Sequence, residues 1–261
     1  MLQVKPVTES LLGKCRKFLA QDLTANVLVL GDCYSPLLEA STLYCACKGN
    51  QVVGACSVFR GFSKPSVALG TATAETKRIL LENALRDVKS EFISICPTAE
   101  ITLLKEYASV LQLHYEQQMV TDSPNKMKSN NKATKVRKYE LQELDKFYLE
   151  HRSEAWIPLQ FKVGPFYCIK QDGRLVSIAG VHLCTPQIAH LGSIVTDEAY
   201  RNRGFGTACT SALANQLSAT GRILSLFVRT DNEPAIRIYE SLGFVKKREV
   251  VFVTIRKKAV N

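Results

Sequence analysis

The order of apolar and polar positions between residues 189 and 244 spells out a series of elements. Ala189 to Val195 is an apolar run of strand length that leads into a polar, glycine-bearing stretch, Arg201-Asn202-Arg203-Gly204-Phe205-Gly206. A helix-compatible run from Thr207 to Thr220 follows, then a second apolar run from Ile223 to Val228. Beyond it Ala235, Ile238, Tyr239 and Leu242 fall at i, i+3, i+4 and i+7, the spacing of one helix face. Asn232 suits the cap of that helix, Pro234 its first turn, and Gly243 the left-handed residue after its last turn. The predicted order is strand, glycine loop, helix, strand, helix.

A glycine-spaced loop that opens a helix has a specific chemistry. The first amides of a helix lack intrahelical partners, the macrodipole is positive there, and glycines let backbone close around oxygen atoms without Cβ clashes. A phosphorylated ligand is therefore one reading of Arg201 to Gly206, and a tight strand-to-helix turn is the other. Spacing alone leaves both open.

Two separated motifs then resemble one family. Arg201, Gly204 and Gly206 fit the Q/R-x-x-G-x-G/A acyl-coenzyme A loop of the GCN5-related N-acetyltransferases (GNAT), and Asn232, Tyr239 and Gly243-Phe244 are similar to its second signature. The resemblance covers roughly Lys135 to Asn261. Phe166 to Val181, with the turn Gln171-Asp172-Gly173, looks like the family's central hairpin. Within the family the chain is most similar to the branch that includes glycine N-acyltransferase-like proteins. The fold this implies is α/β (α+β), a mixed, largely antiparallel sheet flanked by helices.

An internal repeat doubles that fold. A shift of 123 residues places Tyr44-Cys45 on Tyr167-Cys168, Val53 on Val176 and Val58 on Val181, and a shift of 122 places Leu69-Gly70-Thr71 on Leu191-Gly192-Ser193. The similarity continues with Phe92 to Cys96 against Ile223 to Val228 and Tyr107-Ala108-Ser109-Val110 against Tyr239-Glu240-Ser241-Leu242. A repeat this long is a whole domain. In the first copy, Ala74-Glu75-Thr76-Lys77-Arg78-Ile79 has no glycine pair, and Glu75 would repel a phosphate. The expected organisation is a degenerate GNAT-like domain over 1–120, a basic linker over 121–134 and a site-bearing domain over 135–261.

Composition changes the picture little, and charge changes it locally. The 261 residues, 46% of them hydrophobic, contain no apolar stretch of membrane-spanning length, and MLQVKPVTES lacks the apolar segment of a signal peptide. A cytoplasmic protein without a membrane partner is expected. Nine cysteines, none in C-x-x-C spacing, read as reduced core residues, and no metal is expected. The net charge of +10 is regional: Lys126 to Lys138 holds six basic and no acidic residues, and Lys246 to Lys258 holds six against Glu249 alone. A solvated linker and edge is the preferred reading of these patches over nucleic-acid binding, with attraction for the nucleotide of coenzyme A as a third. A homodimer remains open.

The mechanism that the resemblance implies uses acetyl-coenzyme A and the primary amine of a small molecule, an amino acid among them. The amides of Arg203, Gly204, Phe205, Gly206 and Thr207 would hold the pyrophosphate, with the Arg201 and Arg203 side chains adding positive charge. Ile194 and Val195, where family members splay from the next strand, would face the pantetheine arm. An N–H there would meet the developing oxyanion, a contact worth ~3 kcal/mol. Asn232 is a helix cap on its own evidence and a contact to the cofactor arm by resemblance. Tyr239 would be the general acid, since a phenol of pKa ~10 stays protonated while a thiolate of pKa ~8.5 departs. By periodicity alone it is an ordinary buried aromatic. His190 is the first candidate base, with His182, Asp197 and Glu198 behind it, and an amine that arrives neutral needs none. The acceptor is expected near Tyr148 to Phe161, with Glu154 and Trp156. A non-catalytic acyl-coenzyme A sensor is the alternative function.

Overall fold

A computed structural model describes residues 1–124, 133–153 and 155–258. Most of the expected linker, 125–132, and Glu154 lie outside the described residues. In chain order the elements are β1 (Leu2–Pro6), α1 (Glu9–Leu19), α2 (Val27–Asp32), β2 (Ser41–Lys48), β3 (Gln51–Phe59), β4 (Ser66–Leu69), α3 (Ala74–Arg86), β5 (Glu91–Pro97), α4 (Ile101–Tyr107) and β6 (Ala108–Thr121). They continue with β7 (Thr134–Lys135), α5 (Leu141–Glu150), β8 (Tyr167–Gln171), β9 (Arg174–Cys184), β10 (Ile188–Thr196), α6 (Phe205–Ser218), β11 (Ile223–Arg229), α7 (Glu233–Ser241) and β12 (Val245–Lys257).

The chain forms two compact units, Met1–Glu116 with Arg248–Asn261, and Gln117–Lys247. In the first, β1 to β4 pair antiparallel in sequence order and β4 meets β5 in parallel. In the second, β7 to β10 pair antiparallel and β10 runs parallel to β11. Each unit is therefore a mixed, largely antiparallel sheet flanked by helices. The sequence places residues 248–261 in the second domain, whereas the contacts place them in the first. Val250 to Arg256 pair antiparallel with β5, and Val251, Val253 and Ile255 enter the first core beside Phe92, Leu80 and Leu104. The basic side chains of that segment have carbonyl and carboxylate partners in the first unit. Lys257 Nζ donates to Leu85 and Val88, Lys258 Nζ to Lys105 and Glu106, and Arg256 to Glu91.

Hairpin register shows how deep the repeat goes. Tyr44↔Cys56, Cys45↔Ala55 and Ala46↔Gly54 in the first unit become Tyr167↔Ala179, Cys168↔Ile178 and Ile169↔Ser177 in the second, each displaced by the 123 residues read from the sequence. The irregularity after Ala46 recurs after Ile169. The third strand departs from the sequence reading. Val58 pairs with Val67 while Val181 pairs with Leu191, so Leu191 corresponds to Val67 at an offset of 124 and not to Leu69. The parallel partners agree, Ser66↔Ile93 against His190↔Ser225, which makes Ser66 the counterpart of His190. The shared Leu-Gly-hydroxyl triplet misleads because Leu191 follows Val181 by ten positions and Val67 follows Val58 by nine, the extra residue being His182 at a register shift between β9 and β10.

In the second unit the sheet buries both faces. Ile169 and Ala179 join α6 residues Cys209, Leu213 and Leu217 in one core, while Cys168 and Ile178 join Leu144, Phe147 and Tyr148 of α5 in the other. Residues of alternating parity thus hold a helix on either side of β9 and β10. Gly180 admits the Phe166 ring, which would lie only 1.9 Å from a Cβ there.

Candidate functional site

Strand β10 has a ladder partner on both sides only over its first half. Ile188 to Leu191 run parallel to Ile223 to Leu226, and the pairing ends there although both strands continue. On the other side the register with β9 jumps from Gly192 to Val195. Ser193 and Ile194 therefore form a bulge with a ladder partner on neither side, and Ser193 adopts a left-handed φ of 51° that is uncommon outside glycine. Three side chains grip it. The Tyr148 hydroxyl donates to the Ser193 carbonyl at 2.6 Å, His182 Nε2 lies 2.9 Å from Ser193 Oγ, and that hydroxyl donates to Gln160 Oε1 at 3.4 Å. Because the hydroxyl proton goes to Gln160, His182 Nε2 carries the proton of its contact. Gly192 has no side chain because the His182 ring would be 2.4 Å from a Cβ there.

Downstream, Asp197 caps a short turn by accepting from Ala199 N at 2.9 Å. Arg201 pairs with Glu198 at 3.2 Å, and the Arg203 guanidinium lies 5.0 Å over the Tyr200 ring. Asn202 and Gly204 have φ of 61° and 73°. This left-handed approach delivers the chain into α6 with Gly204 as N-cap, so no side chain satisfies the first amides. The N–H groups of Phe205, Gly206 and Thr207 have no intrahelical acceptor, and the first turn closes with Ala208 N to Gly204 O at 3.0 Å. A Cβ on Gly206 would stand 3.1 Å from Thr196 Oγ1, a tight approach that the threonine side chain would have to relieve by a few tenths of an ångström. The first unit differs at the same point. Its α3 follows β4 after four residues, 70–73, and the Thr73 hydroxyl accepts from Thr76 N at 3.3 Å, closing the helix end with the chain's own oxygen.

Helix α7 has the ends expected from its sequence. Asn232 Oδ1 accepts from Ala235 N at 3.3 Å, and Gly243, at φ 86°, ends the helix with Gly243 N to Glu240 O at 2.9 Å and Phe244 N to Tyr239 O at 3.0 Å. Tyr239 is only 6% exposed, and among the described residues its hydroxyl has no hydrogen-bond partner. Burial raises its pKa above that of a free phenol. Tyr107, matched to it by the repeat, instead donates to Glu82 at 2.8 Å.

The two histidines have different surroundings. His190 is 2% exposed, with Nδ1 3.1 Å from Ser225 Oγ, which also receives Gln118 Nε2 at 3.0 Å. His182 is half-buried and reaches the bulge. Burial lowers both, His182 to about 4 and His190 well below its usual value with a further contribution from His182. Asp197 and Glu198 are taken up by the turn and by Arg201. Trp156, in the segment expected to meet the acceptor, donates to Asp145 at 2.8 Å and stacks 4.8 Å from Tyr148. Among the described residues no group of three His, Cys, Asp or Glu side chains is arranged to hold a metal ion, and no helix is long and apolar enough to cross a membrane.

The depressed histidines predict acid lability. Between pH ~6.5 and 4 the unfolded chain binds protons at these rings that the folded chain refuses, so stability falls as pH falls, by up to about 1.4 kcal/mol per unit for each ring. His190→Gln should lessen the slope of melting temperature against pH in that window. An unchanged slope would show that the His190 ring titrates freely in the fold.

Residues 170–253 match the model of the FR47-like protein family. Over 118 residues the chain is 28% identical to an uncharacterized N-acetyltransferase of Methanocaldococcus jannaschii, an alignment that covers 41% of this chain and about half, 52%, of that relative's length. The tandem GNAT protein from the clavulanic acid biosynthesis pathway superposes over 100% of both chains with a TM-score of 0.62 at 14% identity. The chain has the fold of tandem GCN5-related N-acetyltransferases. A GNAT-family protein from Novosphingobium aromaticivorans gives a TM-score of 0.63 at 21% identity, over 78% of this chain and 89% of that one. The second unit has an open helix end and a bulged third strand, whereas in the first Thr73 caps α3 and the pairing of β4 with β3 shows no register shift. Tyr148, Gln160, Gln118 and Ser225 were not legible as site residues, because a tyrosine on the α5 face beside Leu144 reads as core and single polar residues in apolar strands carry no spacing signal.

Proposed function

We propose that the second unit transfers an acetyl group from acetyl-coenzyme A to the primary amine of a small molecule, an amino acid among them, by direct attack. The observation that carries this reading is the coincidence, in one unit, of an uncapped α6 N-terminus, a bulge at Ser193-Ile194 where β10 leaves β11, and a tyrosine on α7 whose ring is buried and whose hydroxyl has no hydrogen-bond partner among the described residues. When bound, the thioester supplies the acyl carbon and the thiolate leaving group. The amides of Arg203 to Thr207 hold the pyrophosphate, and the Arg201 and Arg203 guanidinium groups add charge beside it. Backbone at Ile194 and Val195, with Asn232, lines the pantetheine arm, and the Ile194 N–H meets the carbonyl oxygen as it gains charge.

The amine nitrogen bonds to the acyl carbon, the carbon–sulfur bond breaks, and Tyr239 gives its proton to the departing sulfur. The proton lost by nitrogen leaves through a base. His190 is enclosed and bonded to Ser225, and His182 presents to the bulge an Nε2 that already carries a proton, so the amine arrives neutral and water is the base that takes its proton. Following thiol release from acetyl-coenzyme A across a panel of amino acids and other small amines tests the reading. Turnover with a subset of amines is expected. Tight cofactor binding with no release from any amine would point to a non-catalytic acyl-coenzyme A sensor.

A further inference from the structure

The Ser193-Ile194 bulge is a single peptide whose direction has to be set by something other than a sheet, because neither residue has a ladder partner on β9 or β11. In a trans peptide the C=O and the following N–H point in opposite directions. Whatever fixes the Ser193 carbonyl therefore also fixes the Ile194 N–H. That carbonyl receives the Tyr148 hydroxyl at 2.6 Å, from a side chain that is 1% exposed, stacked 4.8 Å from Trp156 and edge-on to Phe147 at 6.0 Å. The Ser193 side chain is held separately by His182 and Gln160. Non-glycine residues leave a left-handed φ unless the surroundings over-determine it, and here the Tyr148 donor pulls the carbonyl while the two side chains hold the hydroxyl.

We propose that Tyr148 is a positioning residue whose phenol, by hydrogen-bonding the Ser193 carbonyl, aims the Ile194 N–H at the acyl oxygen. The inference rests on the acetyltransferase reading above, since it presupposes a thioester carbonyl at the bulge. Tyr148 touches no substrate. It acts through the peptide plane, as a carbonyl held on one side presents a donor on the other without cost at the moment of reaction.

Tyr148→Phe removes the donor and keeps the ring that packs on Trp156. It is expected to lower kcat on the order of 10²-fold, the scale of a misaimed oxyanion donor, with little change in KM for acetyl-coenzyme A. The decisive readout needs no amine. The infrared carbonyl stretch of ¹³C-labelled acetyl-coenzyme A bound to the wild type should lie below its position in water, and in Tyr148→Phe it should return toward the free value at unchanged affinity. A red shift retained in Tyr148→Phe would overturn the positioning role. Absence of a red shift, or of binding, in the wild type would instead overturn the reading of the site. Ser193→Gly covers the case in which Tyr148→Phe does not fold. It discards the hydroxyl contacts but keeps the carbonyl latch, so the red shift should survive, and its loss would count against Tyr148 as the controlling contact.

Discussion

Gly204→Glu is expected to weaken acetyl-coenzyme A binding on the order of 10²-fold or more in calorimetry, while leaving the second unit folded. Two effects act at this position. The first is conformational: Gly204 has a φ of 73°, and any side chain there costs roughly 1–2 kcal/mol, although a Cβ would meet nothing within 4 Å. The second is electrostatic. The carboxylate would stand at the N-cap, where its oxygen satisfies the free amides of Phe205 to Thr207 and its charge repels the pyrophosphate those amides would hold. Gly204→Ala separates the two, since it carries the strain without the charge. Alanine should cost stability and little affinity, and glutamate should cost affinity far beyond alanine. Equal affinities for the two variants would mean that no anion sits at this helix end. The first unit is the natural version of the closed state, because Thr73 already fills its α3 N-terminus with an oxygen.

What the sequence made readable is what short-range chemistry determines. The β8–β9 turn follows from Asp172-Gly173, which adopt φ of 50° and 76°, and the ends of α7 follow from Asn232, Pro234 and Gly243. The left-handed glycine turn into α6 is local in the same sense. Three features were not readable. Val250 to Ile255 alternate like any strand, and nothing in that pattern names β5 as their partner. The bulge at Ser193 places a serine at positive φ, a choice imposed by Tyr148, His182 and Gln160 from elements 45, 11 and 33 residues away. The third-strand offset arises before that bulge, at the register shift between His190 and Leu191 that leaves His182 of β9 as an extra residue, and no local pattern announces it. The site was thus legible where one segment defines it, at Gly204 and Gly206. Where several segments converge on one peptide, it was not.

Tyr239→Phe is expected to lower kcat by about 10²- to 10⁴-fold, the range of a lost general acid, with KM for acetyl-coenzyme A nearly unchanged because the ring keeps its place beside Phe244 at 6.1 Å. The same substitution should leave melting temperature nearly unchanged. The ring is buried, but the Tyr239 hydroxyl is not among the buried polar atoms left without a partner, so removing the oxygen breaks no protein hydrogen bond and costs the fold little. A tyrosine kept for packing would show the reverse pattern, with rate untouched. The alkaline limb of the pH profile gives an independent sign. An acid must be protonated to act, and burial raises this phenol above its ordinary value near 10, so wild-type kcat should not decline from this group below pH ~10. A fall centred at or below pH ~10, abolished in Tyr239→Phe, would show that burial does not raise this phenol and contradict the buried geometry on which its role depends.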